Sequence, residues 1–372
     1  MKTLLITMTC GEGHNYIAKA IKNAIEQKGE EAKIVQLYGY SEKQVAKQNK
    51  LFLSACKYIP HIYEKIWLKL RKRNPNKKSS VMNGVIKDCK DYILNQINEY
   101  NPDAIVCTHN NAGAVVDYLK VNGKISTYIK TYAVAFDYCL CPYWETCTNL
   151  DYIVTPHEFM KDTFLSRGYS ETQLLPFGLP VDKKYTKKID KNEARKQLGL
   201  DEDLFTIVLY SGGNCISKAS TLIKQLIKSK LPIQIVAICG RNQKEYNKID
   251  KIIKKKGLNN ILNIGFCTNI DVVYSAGDVV FTRGGGMGLT EQFNKQIPFV
   301  LREKLIINER INKKLFAEMG LAMAMNKLKD ANKILEELYN NRNKLEEMRK
   351  KAKEICKPNS TMDFVEFLIA NK

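Results

Sequence analysis

The chain has 372 residues, 59 Lys and Arg against 39 Asp and Glu, a formal net charge of +20 and a mean hydropathy of -0.32. That length suits two domains of ordinary size, and the basic excess suits an anionic partner (nucleic acid, a lipid surface or an anionic ligand) without choosing among them. No run of about 18 apolar residues occurs, which excludes a membrane-spanning helix, and the first apolar run is too short for a signal segment.

Residues 4–8 are an expected strand that runs into Cys10-Gly11-Glu12-Gly13-His14, after which Ile17, Ala18, Ile21, Ala24 and Ile25 recur at helical spacing. G-x-G-H is neither the dinucleotide fingerprint nor a P-loop. It leaves a glycine turn that presents one histidine at a strand's C-terminal end, where open α/β sheets bind ligands. The competing reading is a satisfied structural histidine. Strands are expected next at 33–37, 104–107, 131–135, 151–154 and 173–176.

One segment breaks this rhythm. Between residues 51 and 73, Ile59, Ile62, Tyr63, Ile66, Trp67 and Leu70 follow helical spacing beside Lys65, Lys69, Arg71, Lys72 and Arg73. A helix with an apolar face and a basic flank can lie in a membrane interface, with Tyr63, Ile66 and Trp67 inserted and Lys69 and Arg71 on anionic phosphates. The alternative is a helix that packs its aromatic stripe on the domain. Further on, His109 follows a strand end and can line a pocket, and Asp137 follows the strand at 131–135. His61 and His157 read as surface or cap residues. Eleven cysteines without paired C-x-x-C spacing indicate reduced thiols, not a disulfide framework or a zinc ribbon; Cys139 and Cys141 flank one residue with Cys147 nearby, and a metal site there is the lesser alternative.

Gly178, Pro180 and a lysine-rich stretch to residue 191 mark a linker. The second half repeats the pattern with strands at 205–210, 234–239, 261–264, 278–281, 298–301 and 321–325, then a helical tail from 331 interrupted at Pro358. Asp201-Glu202-Asp203 matches D-x-D only superficially, in a charged turn. The strand at 278–281 runs into Arg283-Gly284-Gly285-Gly286-Met287-Gly288-Leu289-Thr290-Glu291. Bare glycine N–H groups at a helix start suit a diphosphate, while the Glu291 carboxylate one turn on suits a hydroxyl-bearing group such as ribose. A purely structural turn would look similar.

Together, Thr9 to His14, Phe136-Asp137-Tyr138 with Trp144, Pro176 to Val181, Gly285 to Glu291, and the spacing on through Pro298 to Asn308-Glu309 resemble the GT-B glycosyltransferases. The likeness is to the plant monogalactosyldiacylglycerol synthases and the bacterial processive diacylglycerol glucosyltransferases. The transferase that adds N-acetylglucosamine to lipid I is more distant. The resemblance implies an α/β fold of two Rossmann-like parallel-sheet domains facing a cleft. It divides the chain into an acceptor and membrane domain (1–178), a linker (179–191), a UDP-sugar domain (192–345), and C-terminal helices (346–372) able to pack back on the first domain.

It further implies Gly213, Asn214, Gly286, Met287 and Gly288, with Gly285, on the UDP diphosphate; Phe266 and Cys267 beside uracil; Glu291 on ribose; and Asn308 and Glu309 on the hexose. Asn308 departs from the family's Gln, and Gly284 from its frequent proline. Asp137 is the candidate general base and His14 its rival. No metal or other cofactor is expected. The expected activity is inverting hexose transfer from a UDP-sugar to a membrane lipid, diacylglycerol first, by a cytoplasmic protein bound peripherally to an anionic membrane. N-acetylglucosamine transfer to a lipid-linked or other acceptor is the alternative. A basic nucleic-acid binder or a non-catalytic UDP-sugar sensor belongs to a different class, and nucleic acid is not the expected partner.

Overall fold

The structure, a computed structural model, describes residues 1–10, 12–39, 43–47, 50, 54, 60–72, 80–210, 212, 219–302 and 306–372, without the side chains of Pro60, Tyr63 and Ser80. The chain forms two compact units, Met1–Asp182 with Lys357–Lys372, and Lys183–Cys356.

The first unit holds β1 (Lys2–Thr7), β2 (Glu31–Gln36), β3 (Ala104–Cys107), β4 (Lys130–Val134), β5 (Tyr152–Val154) and β6 (Leu174–Leu175). They lie in the order β2-β1-β3-β4-β5-β6, and every pairing is parallel. Parallel neighbours need crossovers, which the intervening helices supply, and helices on the faces require strands apolar on both sides. Residues 3–7 of β1 and all of β3 are accordingly buried. The helix Gly13–Gln27 turns Ile17, Ala18, Ile21, Ala24 and Ile25 inward, as the spacing demands.

The final helix, Ser360–Ala370, belongs to this unit. Its Thr361 hydroxyl accepts from the Val181 amide (2.9 Å) and donates to the Val181 carbonyl (2.7 Å), while Ser360 Oγ donates to the Leu179 carbonyl (2.8 Å). Phe364 packs edge-on against Tyr132 and Phe367 against Tyr152. Gly178 has φ +93°, and a Cβ there would lie 2.5 Å from Lys357 Cβ, so glycine is required on two counts. Residues 179–182 are thus pinned to the first unit.

The second unit holds β7 (Phe205–Leu209), β8 (Ile233–Ile238), β9 (Ile261–Ile264), β10 (Val279–Thr282), β11 (Phe299–Leu301) and β12 (Ala322–Ala324), in the order β12-β11-β10-β7-β8-β9, again all parallel. Asp278, at the entry to β10, is buried but satisfied by Arg195 Nη2 (2.8 Å) and the Thr206 amide (2.7 Å). Helices Ala331–Asn340 and Arg342–Ile355 close this unit over the core of Phe205, Leu222, Ile235 and Phe281. The boundary drawn from sequence at 345/346 falls inside the helix Arg342–Ile355.

Each sheet has one point where the strand order reverses: β1 against β3, and β7 against β10. Loops leaving such strands in opposite directions open a crevice at their C-terminal ends. The G-x-G-H turn follows β1 and the glycine-rich turn follows β10.

Candidate functional site

In the first unit, parallel pairing of β1 with β3 brings residue 14 to residue 108. His14 is buried, with its Nδ1 2.5 Å from the Thr108 carbonyl oxygen. A carbonyl only accepts, so Nδ1 carries the hydrogen and Nε2 carries the lone pair. Burial lowers the His14 pKa to about 4, partly opposed by the Thr108 carbonyl, so the ring is neutral at physiological pH. The turn that holds it is braced by side chains: Asn15 Nδ2 donates to Thr9 Oγ1 (2.8 Å), and Gln36 Nε2 to Asn15 Oδ1 (3.1 Å).

His109 caps the helix Asn110–Val121, its Nδ1 accepting from the Asn111 amide at 3.0 Å. That fixes the opposite tautomer, with the hydrogen on Nε2. Burial, and then the neighbouring His14, holds its pKa well below the ordinary histidine value. The two imidazoles lie 4.5 Å apart by ring centroid, and Phe136 covers His14 at 4.3 Å. Asp137 follows Phe136 directly in the chain. Asp137 is buried, and its Oδ1 accepts from the Tyr138 amide at 2.9 Å. Of the remaining histidines, His61 is exposed, and His157 caps the short helix Glu158–Met160.

In the second unit, Gly284 takes φ +90°, and a Cβ would meet Leu301 Cδ2 at 3.1 Å. Only glycine turns the chain there without strain. Gly285 then starts the helix Gly286–Asn294 with no side chain capping it. The N–H groups of the first turn, Gly286, Met287 and Gly288, carry the positive end of the helix dipole.

Glu309 Oε2 accepts from Arg283 Nη2 (2.8 Å) and from the Ile306 amide (3.2 Å), while Oε1 lies 3.9 Å from where a Gly285 Cβ would be. The carboxylate thus overlooks the glycine turn. Asn312 Nδ2 ties the Gly284 carbonyl at 2.8 Å, and Asn308 is half-buried on the first turn of the helix Ile307–Glu318.

Glu291 is buried one turn into its helix and hydrogen-bonds the Tyr274 hydroxyl, which also accepts from Gln292 Nε2 at 3.2 Å. Tyr274 has no sequence motif, and only the fold assigns it to this carboxylate. Phe266 is exposed after β9, with the Arg241 guanidinium 4.7 Å over its ring, and Cys267 beside it is half-buried. Gly213 and Asn214 lie outside the described residues. Asp201 Oδ1 accepts from the Asp203 and Leu204 amides, which makes Asp201-Glu202-Asp203 a self-capped turn.

The segment at 60–71 is helical (Pro60–Arg71), but its faces differ from the expected ones. Trp67 is only 5% exposed, and the Arg71 guanidinium covers its ring at 5.5 Å, with the Arg71 carbonyl accepting from Arg167. The expected insertion of Trp67 is corrected: its indole packs inward, one position after Ile66. Ile62 and Ile66 (each 54% exposed) and Leu68 are the exposed apolar side chains, with Lys65 and Lys69 exposed among them. The side chain of Tyr63 lies outside the described residues. No helix among the described residues is long and apolar enough to cross a membrane.

Two family models divide the chain between them. Residues 14–181 match monogalactosyldiacylglycerol (MGDG) synthase, and residues 213–363 match the glycosyltransferase family 28 C-terminal domain. Among curated proteins, the processive diacylglycerol beta-glucosyltransferase of Bacillus pumilus is 23% identical, over 99% of this chain and 94% of its own. That of Bacillus subtilis is 21% identical over the same shares. Among solved structures, UDP-GlcNAc 2-epimerase from Neisseria meningitidis bound to UDP-GlcNAc superposes with TM-score 0.65 at 13% identity, over all of both chains. MurG of Acinetobacter baumannii gives 0.64 at 15% identity, over 99% of each. What these structures share with the chain is the fold.

Proposed function

We propose that this chain, which belongs to the GT-B glycosyltransferases of the monogalactosyldiacylglycerol synthase and processive diacylglycerol glucosyltransferase type, moves a hexose with inversion from a UDP-sugar to a hydroxyl of a membrane lipid, diacylglycerol first. The observation that carries the donor half is the uncapped helix Gly286–Asn294 behind a glycine turn at the strand-order reversal, overlooked by Glu309. Its amides and dipole receive the diphosphate and the charge that grows on departing UDP. Glu291, held by Tyr274, takes ribose hydroxyls, and Asn308 and Glu309 take hexose hydroxyls. The Phe266–Cys267 stretch lies along uracil.

In the acceptor half, Asp137 removes the proton of the attacking hydroxyl as its oxygen bonds the anomeric carbon and the bond to UDP breaks. Neutral His14 offers a lone pair at Nε2 to orient that hydroxyl, while His109 holds the loop and presents its Nε2–H. A pKa of about 4 keeps His14 neutral, so its Nε2 lone pair is free to accept from the hydroxyl, and the base role falls to Asp137 from its place in Phe136-Asp137-Tyr138. The exposed Ile62, Ile66 and Leu68 with Lys65 and Lys69 form the membrane contact, on anionic lipid.

The test incubates the purified protein with a panel of labelled UDP-sugars and diacylglycerol in anionic liposomes, then identifies labelled lipid. A hexosyldiacylglycerol is expected. Label transferred only from UDP-N-acetylglucosamine, and never to diacylglycerol, would replace this reading with the lipid-linked one.

A further inference from the structure

We propose that Asp137, Cys139 and Cys141 form a binding site for a soft divalent cation of the zinc class. The carboxylate oxygen and the two sulfurs lie within 4.8 Å of one another, which no other group of three such residues achieves among the described residues. Two thiolates on one tetrahedral zinc stand about 3.8 Å apart, given legs of about 2.3 Å, so a small contraction suffices. Sulfur with one carboxylate is a donor set that selects zinc, cadmium or cobalt over magnesium or calcium.

Local structure holds the three groups ready. The run follows β4 as a bend, with ligands at alternate positions. Of the intervening residues, Tyr138 stacks on Phe159 and Leu140 joins the core, which leaves the odd-numbered side chains to converge. The Tyr138 amide fixes the Asp137 carboxylate, and the Cys139 and Cys141 thiols already hydrogen-bond each other. Two thiolates and a carboxylate carry three negative charges, of which a divalent ion cancels two; without an ion, the Cys141 thiol, burial and the Asp137 charge hold the Cys139 thiol well above its ordinary value, with Arg71 opposing only in part. Cys139 is buried and Cys141 half-buried, so the ion and a water as fourth ligand would enter from the Cys141 side. Cys147, the third cysteine nearby in sequence, is not part of the site: its sulfur packs against Gly113 and the Asn110 carbonyl.

The site goes beyond the transfer reading. It touches that reading at one point, because a bound cation would take the carboxylate assigned as base. The test is spectroscopic and stands apart from turnover. Reduced protein is titrated with Co2+, and thiolate-to-cobalt charge transfer in the near ultraviolet is followed with the visible bands of tetrahedral cobalt. One equivalent should saturate both in the wild type, Zn2+ should displace them, and Cys147→Ser should keep them. Cys141→Ser and the pair Cys139→Ser with Cys141→Ser should lose most of the signal with unchanged circular dichroism. No charge-transfer band in the wild type, or an undiminished band in the double variant, would overturn the site. If Zn2+ binds yet turnover is untouched, the site stands and the base assignment of Asp137 falls.

Discussion

Replacing His14 by Gln should flatten the acid sensitivity of the first unit. His14 has an ordinary value of 6.5 and a folded value of about 4, set chiefly by burial. Between those values the unfolded chain binds a proton that the native state excludes, so stability is present at pH 7 and falls as pH drops through 6.5 towards 4. From pH 7 to pH 5 the loss works out at about 2 kcal/mol, on the order of a thirtyfold change in the folding equilibrium. His109 shifts in the same direction chiefly through its own burial, which the variant keeps, and only the lesser contribution from His14 is lost. Trp67 and Trp144, the only tryptophans in the sequence, both lie in the first unit, so their fluorescence during urea unfolding reports that unit. The wild type should lose about 2 kcal/mol more than His14→Gln between the two pH values. Equal losses would show that His14 is not held neutral by its site, and the tautomer assigned from Thr108 would fall with it.

Asp137→Asn should keep UDP-sugar affinity and lower turnover by roughly 10²–10⁴-fold, measured as UDP release. His14→Ala is its comparison, and if it alone abolishes turnover the base is His14. Glu291→Ala should weaken UDP binding by about 1–3 kcal/mol in calorimetry, and unchanged affinity in a folded variant would remove Glu291 from the site. Tyr274→Phe should produce a smaller loss of the same kind, since the carboxylate remains but its hydroxyl partner goes. Sedimentation with anionic liposomes should weaken for Ile62→Ser with Ile66→Ser and Lys69→Glu, and fall with salt in the wild type. Trp67→Ala should instead destabilise the first unit, by about 3–5 kcal/mol for a buried aromatic, and equal melting of both proteins would contradict its burial.

Local sequence carried much of this. The two glycine turns were readable because a strand ending in glycines and reopening as a helix is written in consecutive residues, and the twelve strands among the described residues overlap the apolar runs that marked them. What pairs across the chain was not readable. The bond from His14 to the Thr108 carbonyl spans 94 positions and exists because β1 lies beside β3. Tyr274 meets Glu291 only through the packing of its helix. Helical spacing placed Ile66 and Trp67 on one stripe, but neighbouring positions sit about 100° apart, and the fold took Trp67 inward and left Ile66 outside. The convergence of Asp137 with Cys139 and Cys141 needed the bend after β4, which no spacing rule encodes.

The measurement closest to the centre is the anomeric configuration of the lipid product, read from the proton coupling of its sugar C1 after incubation with UDP-hexose and diacylglycerol. Direct displacement on an α-linked donor should give a β-hexosyldiacylglycerol with one UDP released per hexose transferred. An α-linked product, or UDP released without any glycolipid, would contradict transfer by a single displacement to a lipid hydroxyl.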